Sequence, residues 1–112
     1  MTGFDTDLYR RLVESSPEGV VLIDAQGTDH PVVYANPAFE ALTGYTAAEL
    51  VGRNLRLLQA DDREQDGRHR LRDALSRGET CRVLLRNYRK DGSLFWNEMT
   101  VMPLRRMMLK TS

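Results

Sequence analysis

The sequence has one cysteine and no long apolar run, and these two shortages exclude several classes of protein. Because Cys81 is the only cysteine, the chain cannot form an intramolecular disulfide, and a single free thiol fits a reducing compartment. No stretch approaches the ~20 consecutive apolar residues of a membrane span, and no apolar run of signal-peptide length opens the chain. We therefore expect a soluble, cytoplasmic protein without a membrane partner.

An excess of either charge is also lacking, since 16 basic and 16 acidic side chains cancel. A balanced chain has no bulk attraction to nucleic acid or to an anionic membrane. His30 and His69 lie far apart in the sequence and form no metal-ligand spacing, and there is no G-x-G-x-x-G fingerprint of a nicotinamide site. We expect solvent-facing histidines, no metal, no nucleic-acid partner and no enzymatic activity.

The 112 residues are enough for one domain. Its predicted elements are a helix ending near Ser15, strands over 19–24 and 31–35, short helices after Asn36 and Thr46, a longer helix over 66–76, and strands over 80–90 and 93–104. Asp91-Gly92 predicts a two-residue hairpin between the last two strands. Strands and helices that are segregated rather than alternating indicate an α+β domain.

Residues 52–59 are chemically unusual for a short apolar helix. Three leucines share the segment with Asn54, Arg56 and Gln59, and polar side chains that cannot all reach water suggest the wall of a ligand site. The segment resembles the GRNCRFLQ motif of LOV domains, the flavin-binding branch of the PAS superfamily. Two further blocks, at 36–45 and 87–98, resemble the same family in the same order.

This resemblance extends over residues 18–104 and implies a PAS fold, in which short helices pack on one face of an antiparallel β-sheet. Outside this range we expect an N-terminal cap helix in residues 1–17 and a short C-terminal tail at 105–112. The family members to which the chain is similar include the short bacterial LOV proteins.

The resemblance also implies FMN as the cofactor. The positions that hold the flavin in LOV domains correspond here to Asn54, Asn87 and Asn97 at the polar edge of the ring, Gln59 near the ribityl chain, and Arg56, Arg63, Arg68 and Arg72 at the phosphate.

The amides follow a pattern of their own. Alternation along the last two strands places Asn87 and Asn97 on the inward face, where an unpaired amide costs about 1–3 kcal/mol. Because asparagine both donates and accepts hydrogen bonds, these side chains can match the C=O and N–H groups of a flavin edge. The alternative is that each amide satisfies backbone groups in a turn.

Arginine suits phosphate because its guanidinium offers forked donors. Arg68 and Arg72 lie four residues apart beside the apolar stripe of the predicted helix. The alternative is a solvated face on which nearby acids pair with the arginines, and such surface pairs stabilise little. The acids concerned are Asp61, Asp62, Glu64, Asp66 and Asp73.

The sequence departs from the family at the residue that carries its photochemistry. In LOV domains blue light joins a cysteine sulfur to the flavin, and Leu55 stands at that position here. Leucine has no nucleophilic atom. Cys81 lies six residues before Asn87 on the same predicted strand, about 20 Å along it at ~3.3 Å per residue. We therefore expect no cysteinyl-flavin adduct.

A second departure concerns the last strand, which in the PAS fold lies between the first and the fourth. The residues after Leu104 look too few for a turn and a full strand. We therefore expect a truncated final strand and an unfilled slot that another chain could enter; alternatively, residues 107–109 pair as a stub. Leu84, Trp96 and Met102 point outward and form an apolar sheet face that needs cover. A homo-oligomer, or a protein partner on the sheet face or open edge, is expected.

Three functions are compatible with these observations. The first is a LOV-like sensory module that forms no adduct, binds FMN weakly or not at all, and acts through self-association or a protein partner. The alternative is an FMN-binding photoreceptor that works by flavin photoreduction without an adduct, with Trp96 or a tyrosine as electron donor. The third is a small flavin oxidoreductase, against which the lack of an acid/base set argues.

Overall fold

The computed structural model describes residues 6–24, 29–102 and 107–111. The helices are α1 (Thr6–Ser15), α2 (Pro37–Thr43), α3 (Ala47–Leu50), a 3₁₀ helix (Leu55–Gln59) and α4 (Asp66–Arg77), and the strands are β1 (Gly19–Ile23), β2 (Val32–Ala35), β3 (Cys81–Tyr88), β4 (Leu94–Met102) and β5 (Met107–Thr111). The α+β prediction is confirmed. The longest of these helices has 12 residues, so none in the described ranges can cross a bilayer, which takes about 20 residues.

The helices begin and end where the sequence predicts. The Asn36 side chain accepts a hydrogen bond from the Phe39 N–H, Pro37 follows it at the first helical position, and Gly44 ends α2 in the left-handed region at φ 79°. Thr46 and Glu49 form a reciprocal capping box at the start of α3. These local caps fix the short helices that lie over the sheet.

The five strands form one antiparallel sheet in the order β2-β1-β5-β4-β3. The expected empty slot between the first and fourth strands is therefore wrong. The alternative, in which residues 107–109 pair, is confirmed, and the pairing extends to Thr111. Strand β5 pairs with all five residues of β1 and with Met99–Met102 of β4. The final strand is short, with five residues beside the nine of β4. Because β1 is equally short, five residues are enough to bridge the sheet.

The hairpin between β3 and β4 differs from the prediction at its turn. Tyr88 pairs with Leu94, and the Arg89 N–H donates to the Ser93 carbonyl at 2.9 Å. Three residues, 90–92, form the loop instead of two. The Lys90 N–H donates to the Thr43 carbonyl at 2.9 Å, and Gly92 supplies the left-handed residue at φ 90°. A contact with α2 therefore sets the turn length.

The two faces of the sheet have opposite character, as the alternation predicts. The inward face buries residues of β1, β3 and β4 against Phe39, Leu50 and Leu58 of the helices. Leu84 and Trp96 on the outward face are 52% and 57% exposed. The side chain of Met102, predicted to share that face, lies outside the described residues.

The free edge of β3 is covered by the segment that leads into α4. The Gln65 side chain accepts from the Arg86 N–H at 2.8 Å and donates to the Arg86 carbonyl at 3.0 Å. Gly67 lies so close that a Cβ there would be 2.5 Å from the Leu84 carbonyl oxygen. The buried edge groups are thus satisfied locally, which removes this edge as a site for strand addition.

Candidate functional site

A small cavity lies between the 3₁₀ helix, α4 and the inward face of the sheet. We call it the inner cavity; its volume is about 80 Å³. It is lined by Ile23, His30, Asn54, Leu55, Arg56, Leu58, Gln59, Leu71, Leu75, Leu85, Asn87 and Met99. An apolar pocket with a few polar groups is the usual form of a small-molecule site, although such sites typically measure about 300–1,000 Å³.

A wider cleft adjoins the inner cavity on the side of α4. This outer cleft has a volume of about 430 Å³ and is lined by His30, Asn54, Arg56, Arg68, Leu71, Arg72, Leu75 and Ser76. Five of these residues line the inner cavity as well. A ligand could therefore place an apolar ring inside and an anionic group among the three arginines.

Two buried amide oxygens near the inner cavity have no hydrogen-bond partner. They are Oε1 of Gln59 and Oδ1 of Asn97, whose residues are only 6% and 1% exposed. The Asn97 amide donates to Oδ1 of Asn87 at 2.9 Å, and the Asn87 amide donates to the Arg86 carbonyl at 3.0 Å. Unsatisfied buried acceptors cost about 1–3 kcal/mol each, so this pair fits a bound group that carries N–H donors.

The predicted polar residues do not all meet at the site. Asn54, Gln59 and Asn87 line the inner cavity, whereas Asn97 reaches it through Asn87. The Asn54 side chain also starts the 3₁₀ helix by accepting from the Arg56 N–H at 2.8 Å. Its amide donates to the Asp29 carbonyl at 2.7 Å. The alternative, in which an amide satisfies backbone groups, therefore holds for both polar atoms of the Asn54 side chain.

Three of the four predicted arginines line the outer cleft, and Arg63 does not. The Arg63 side chain donates to the Ala60 carbonyl at 3.3 Å, and Arg68 donates to the Arg63 carbonyl at 3.1 Å. No ion pair among the described residues involves Arg63, Arg68 or Arg72. Their neutralisation by nearby acids is therefore not observed in this part of the chain.

Asp62, one of those acids, has a different partner. It accepts from Arg86 Nε at 2.6 Å and from the Tyr88 hydroxyl at 2.7 Å. The hydrogen bonds from Arg86 and then from Tyr88 lower the pKa of Asp62 from its ordinary 3.8 to about 2. Asp62 thus fastens the segment after the 3₁₀ helix to β3 and forms no ion pair with Arg68 or Arg72.

His30 is the residue of the site that sequence reasoning missed. It was predicted to face solvent, but it is half-buried and lines both the inner cavity and the outer cleft. Its backbone is left-handed at φ 45°, a conformation that the sequence does not signal. His69 is exposed as predicted, and no group of three potential metal ligands occurs among the described residues.

Leu55 lines the inner cavity, and none of the residues lining the cavity or the cleft is a cysteine. Cys81 is half-buried at the start of β3, where it pairs with Val101. Trp96 lies on the outward face of the sheet, so the indole and the inner cavity are on opposite sides of β4.

Comparison with known proteins adds the family context. Residues 17–107 match the PAS domain family. The chain is 38% identical over 98 residues to a blue-light photoreceptor of Listeria monocytogenes. The aligned region covers 88% of this chain and 39% of that protein. The chain thus spans about two fifths of the curated photoreceptors it matches.

Two solved structures have the same architecture. The LOV domain of a blue-light activated histidine kinase of Erythrobacter litoralis superposes with a TM-score of 0.80 at 33% identity, covering 86% of this chain and 94% of that one. An RNA-binding light-oxygen-voltage receptor superposes with a TM-score of 0.92 at 35% identity, covering 100% of this chain and 34% of that one.

Proposed function

Because this chain belongs to the PAS domain family and, within it, to the LOV domains, we propose that it is a sensory module that forms no cysteinyl-flavin adduct. The observation that carries the proposal is the side chain at the cavity wall. Leu55 lines the inner cavity and cannot bond covalently to a flavin, and Cys81 is in β3 outside the cavity. A module of this kind acts through association with itself or with a protein partner, not as an enzyme.

FMN is the ligand that the inner cavity and outer cleft fit best. The unpartnered oxygen of Asn97 would accept from the single N–H at the polar edge of the oxidised ring, and that of Gln59 would accept from a ribityl hydroxyl. Asn54 and Asn87 would supplement Asn97 at the ring edge. Arg56, Arg68 and Arg72 would bind the phosphate, with Arg63 acting from outside the cleft. When bound, the flavin would supply the absorption of blue light.

Weak FMN binding is supported by the size of the inner cavity. At about 80 Å³ it is well below the ~300 Å³ at which ligand sites begin, so the walls must move to admit a flavin ring. That rearrangement reduces the net binding free energy. FMN photoreduction without an adduct is the second candidate, and the unpartnered amide oxygens support the flavin binding that it needs. Because none of the described residues that line the inner cavity or the outer cleft is a tyrosine or tryptophan, an external reductant would have to supply the electrons.

The arginine variants test the assignment of FMN. Arg72→Ala should weaken FMN binding at least ~10-fold, because a charge-assisted hydrogen bond contributes about 1.5–3 kcal/mol. Riboflavin, which lacks the phosphate, should bind with unchanged affinity. Titrations followed by flavin fluorescence measure both affinities. Arg70→Ala is the matched control, since Arg70 lies on the same helix and donates instead to the Arg82 carbonyl. Equal weakening of FMN and riboflavin would contradict the phosphate assignment.

Self-association is proposed through the outward face of the sheet. Support comes from the exposed side chains of Leu84, Leu94 and Trp96 on neighbouring strands and from Leu8 and Leu12, which are exposed on α1. Large apolar side chains grouped on a surface favour a protein contact. Nucleic acid is not proposed as a partner, because the net charge is zero.

Replacing Leu84 with glutamate tests this surface. Leu84→Glu should weaken self-association at least ~10-fold, because the proposed contact would bury a charge at that position. Sedimentation at micromolar concentrations measures the change. Val51→Glu serves as the control, since Val51 is similarly exposed at the β2 edge. A monomeric wild type, or equal effects of the two substitutions, would contradict the proposal.

A further inference from the structure

Asp29 contacts two residues of the proposed flavin site. Its carboxylate Oδ1 lies 2.7 Å from Nη2 of Arg56, and its backbone carbonyl accepts from the Asn54 amide at 2.7 Å. Arg56 and Asn54 line both the inner cavity and the outer cleft. An acid is therefore paired with a cation that a phosphate would otherwise use.

The backbone at this point is held in an uncommon conformation. Asp29 and His30 are consecutive non-glycine residues in the left-handed region, at φ 64° and φ 45°. A non-glycine residue in this region is strained and persists where its surroundings fix it. The contacts with Asn54 and Arg56 are the fixing interactions, so the position of the Asp29 carboxylate is a property of the folded site.

We propose that Asp29 lowers the preference of this site for a phosphorylated ligand, because its carboxylate competes with the ligand's phosphate for Arg56. The inference rests on the proposed function, in which the outer cleft receives the phosphate. The side chains of Arg56 and Asp29 are 50% and 53% exposed, so their ion pair is weak enough for a ligand to displace. Asp29 also cancels one of the three positive charges that line the cleft.

Asp29→Asn removes the competing charge and keeps the shape of the side chain and the backbone carbonyl that holds Asn54. The affinity for FMN should rise about 2- to 5-fold, the range that corresponds to an exposed ion pair. Riboflavin, which has no phosphate, should bind with unchanged affinity. Raising the salt concentration should reduce the gain, because exposed charges are screened.

A matched control and a second probe make the result specific. Glu98→Gln removes the same unit of charge from an exposed residue of β4 that pairs with Arg82, and it should change neither flavin affinity. Inorganic phosphate tests the cleft without a flavin. It should raise the apparent Tm of Asp29→Asn more than that of the wild type, because an anion that binds the folded state stabilises it.

The outcomes separate this inference from the proposed function. Weaker FMN binding by Asp29→Asn would overturn the inference, because Asp29 would then position Arg56 for the ligand. Equal changes in the affinities for FMN and riboflavin would also overturn it. If no variant binds either flavin, the proposed FMN site is wrong. The phosphate experiment alone then tests whether Asp29 competes with an anion for Arg56. A larger phosphate-dependent rise in Tm for Asp29→Asn then supports the competition, and an equal or absent rise overturns it.

Discussion

Leu55→Cys, saturated with FMN, is expected to lose its visible flavin absorption under blue light and to regain it in darkness without oxygen. The substitution places a sulfur on the wall of the inner cavity, at the position that the resemblance to the LOV motif assigns to the reactive cysteine. It also shortens the side chain and so leaves more room for the ring. The wild type should show no such cycle, because Leu55 has no atom that can form the bond.

Two conditions make this experiment decisive. Excluding oxygen separates dark reversal of a covalent bond from reoxidation of a photoreduced flavin, since reoxidation requires an oxidant. Leu57→Cys provides the control, because Leu57 lies on the same 3₁₀ helix and does not line the cavity. Cycling by Leu57→Cys, or FMN binding without cycling by Leu55→Cys, would contradict the placement of Leu55 beside the flavin.

Asn36→Ala is expected to cause the largest loss of stability, about 2–4 kcal/mol in the free energy of unfolding. Asn36 is fully buried, and its oxygen accepts from the Val20 and Phe39 N–H groups at 2.8 and 3.0 Å. Its amide donates to the Val13 and Glu18 carbonyls at 2.8 and 2.9 Å. One side chain thus joins the end of α1, the following turn, β1 and α2.

Urea unfolding monitored by circular dichroism measures this loss. Thr46→Ala is the comparison, because Thr46 only caps a short exposed helix and its removal should cost about 1 kcal/mol. Asn36→Asp keeps both accepted bonds but sets a carboxylate against the Val13 and Glu18 carbonyls. It should be unstable at neutral pH and recover as the carboxyl is protonated. An Asn36→Ala loss no larger than that of Thr46→Ala would refute the account of Asn36 as a junction.

The sequence predicts those parts of the fold that depend on local chemistry. The caps at Asn36 and Thr46 and the inward direction of Asn87 and Asn97 follow from side-chain type and strand alternation. The bond between Asn87 and Asn97 depends instead on the strand register. That register follows from a turn of three residues, 90–92. The Lys90 N–H of this turn donates to the distant Thr43 carbonyl, a contact that neighbouring residues do not reveal.

The remaining errors have similar causes. The residues after Leu104 look too few for a full strand, but five of them are enough because β1, with which they pair, also has five residues. Arg63 was expected at the phosphate but does not line the outer cleft, whereas Arg68 does. The chain turns at Ala60, three residues before Arg63, where the backbone is left-handed at φ 50°. His30 lies at the site because of its own left-handed backbone. Such conformations of non-glycine residues are fixed by tertiary contacts.

The visible absorption spectrum most directly tests the claim that the protein binds FMN weakly and forms no adduct. It is recorded on the purified protein and then with excess FMN, before and after blue light, in the absence of oxygen. The account predicts little bound flavin after purification, saturable uptake of added FMN, and no light-induced loss of absorption that reverses in darkness. A full complement of FMN that survives dialysis and bleaches reversibly would contradict it, and failure to take up FMN at any concentration would exclude the flavin site.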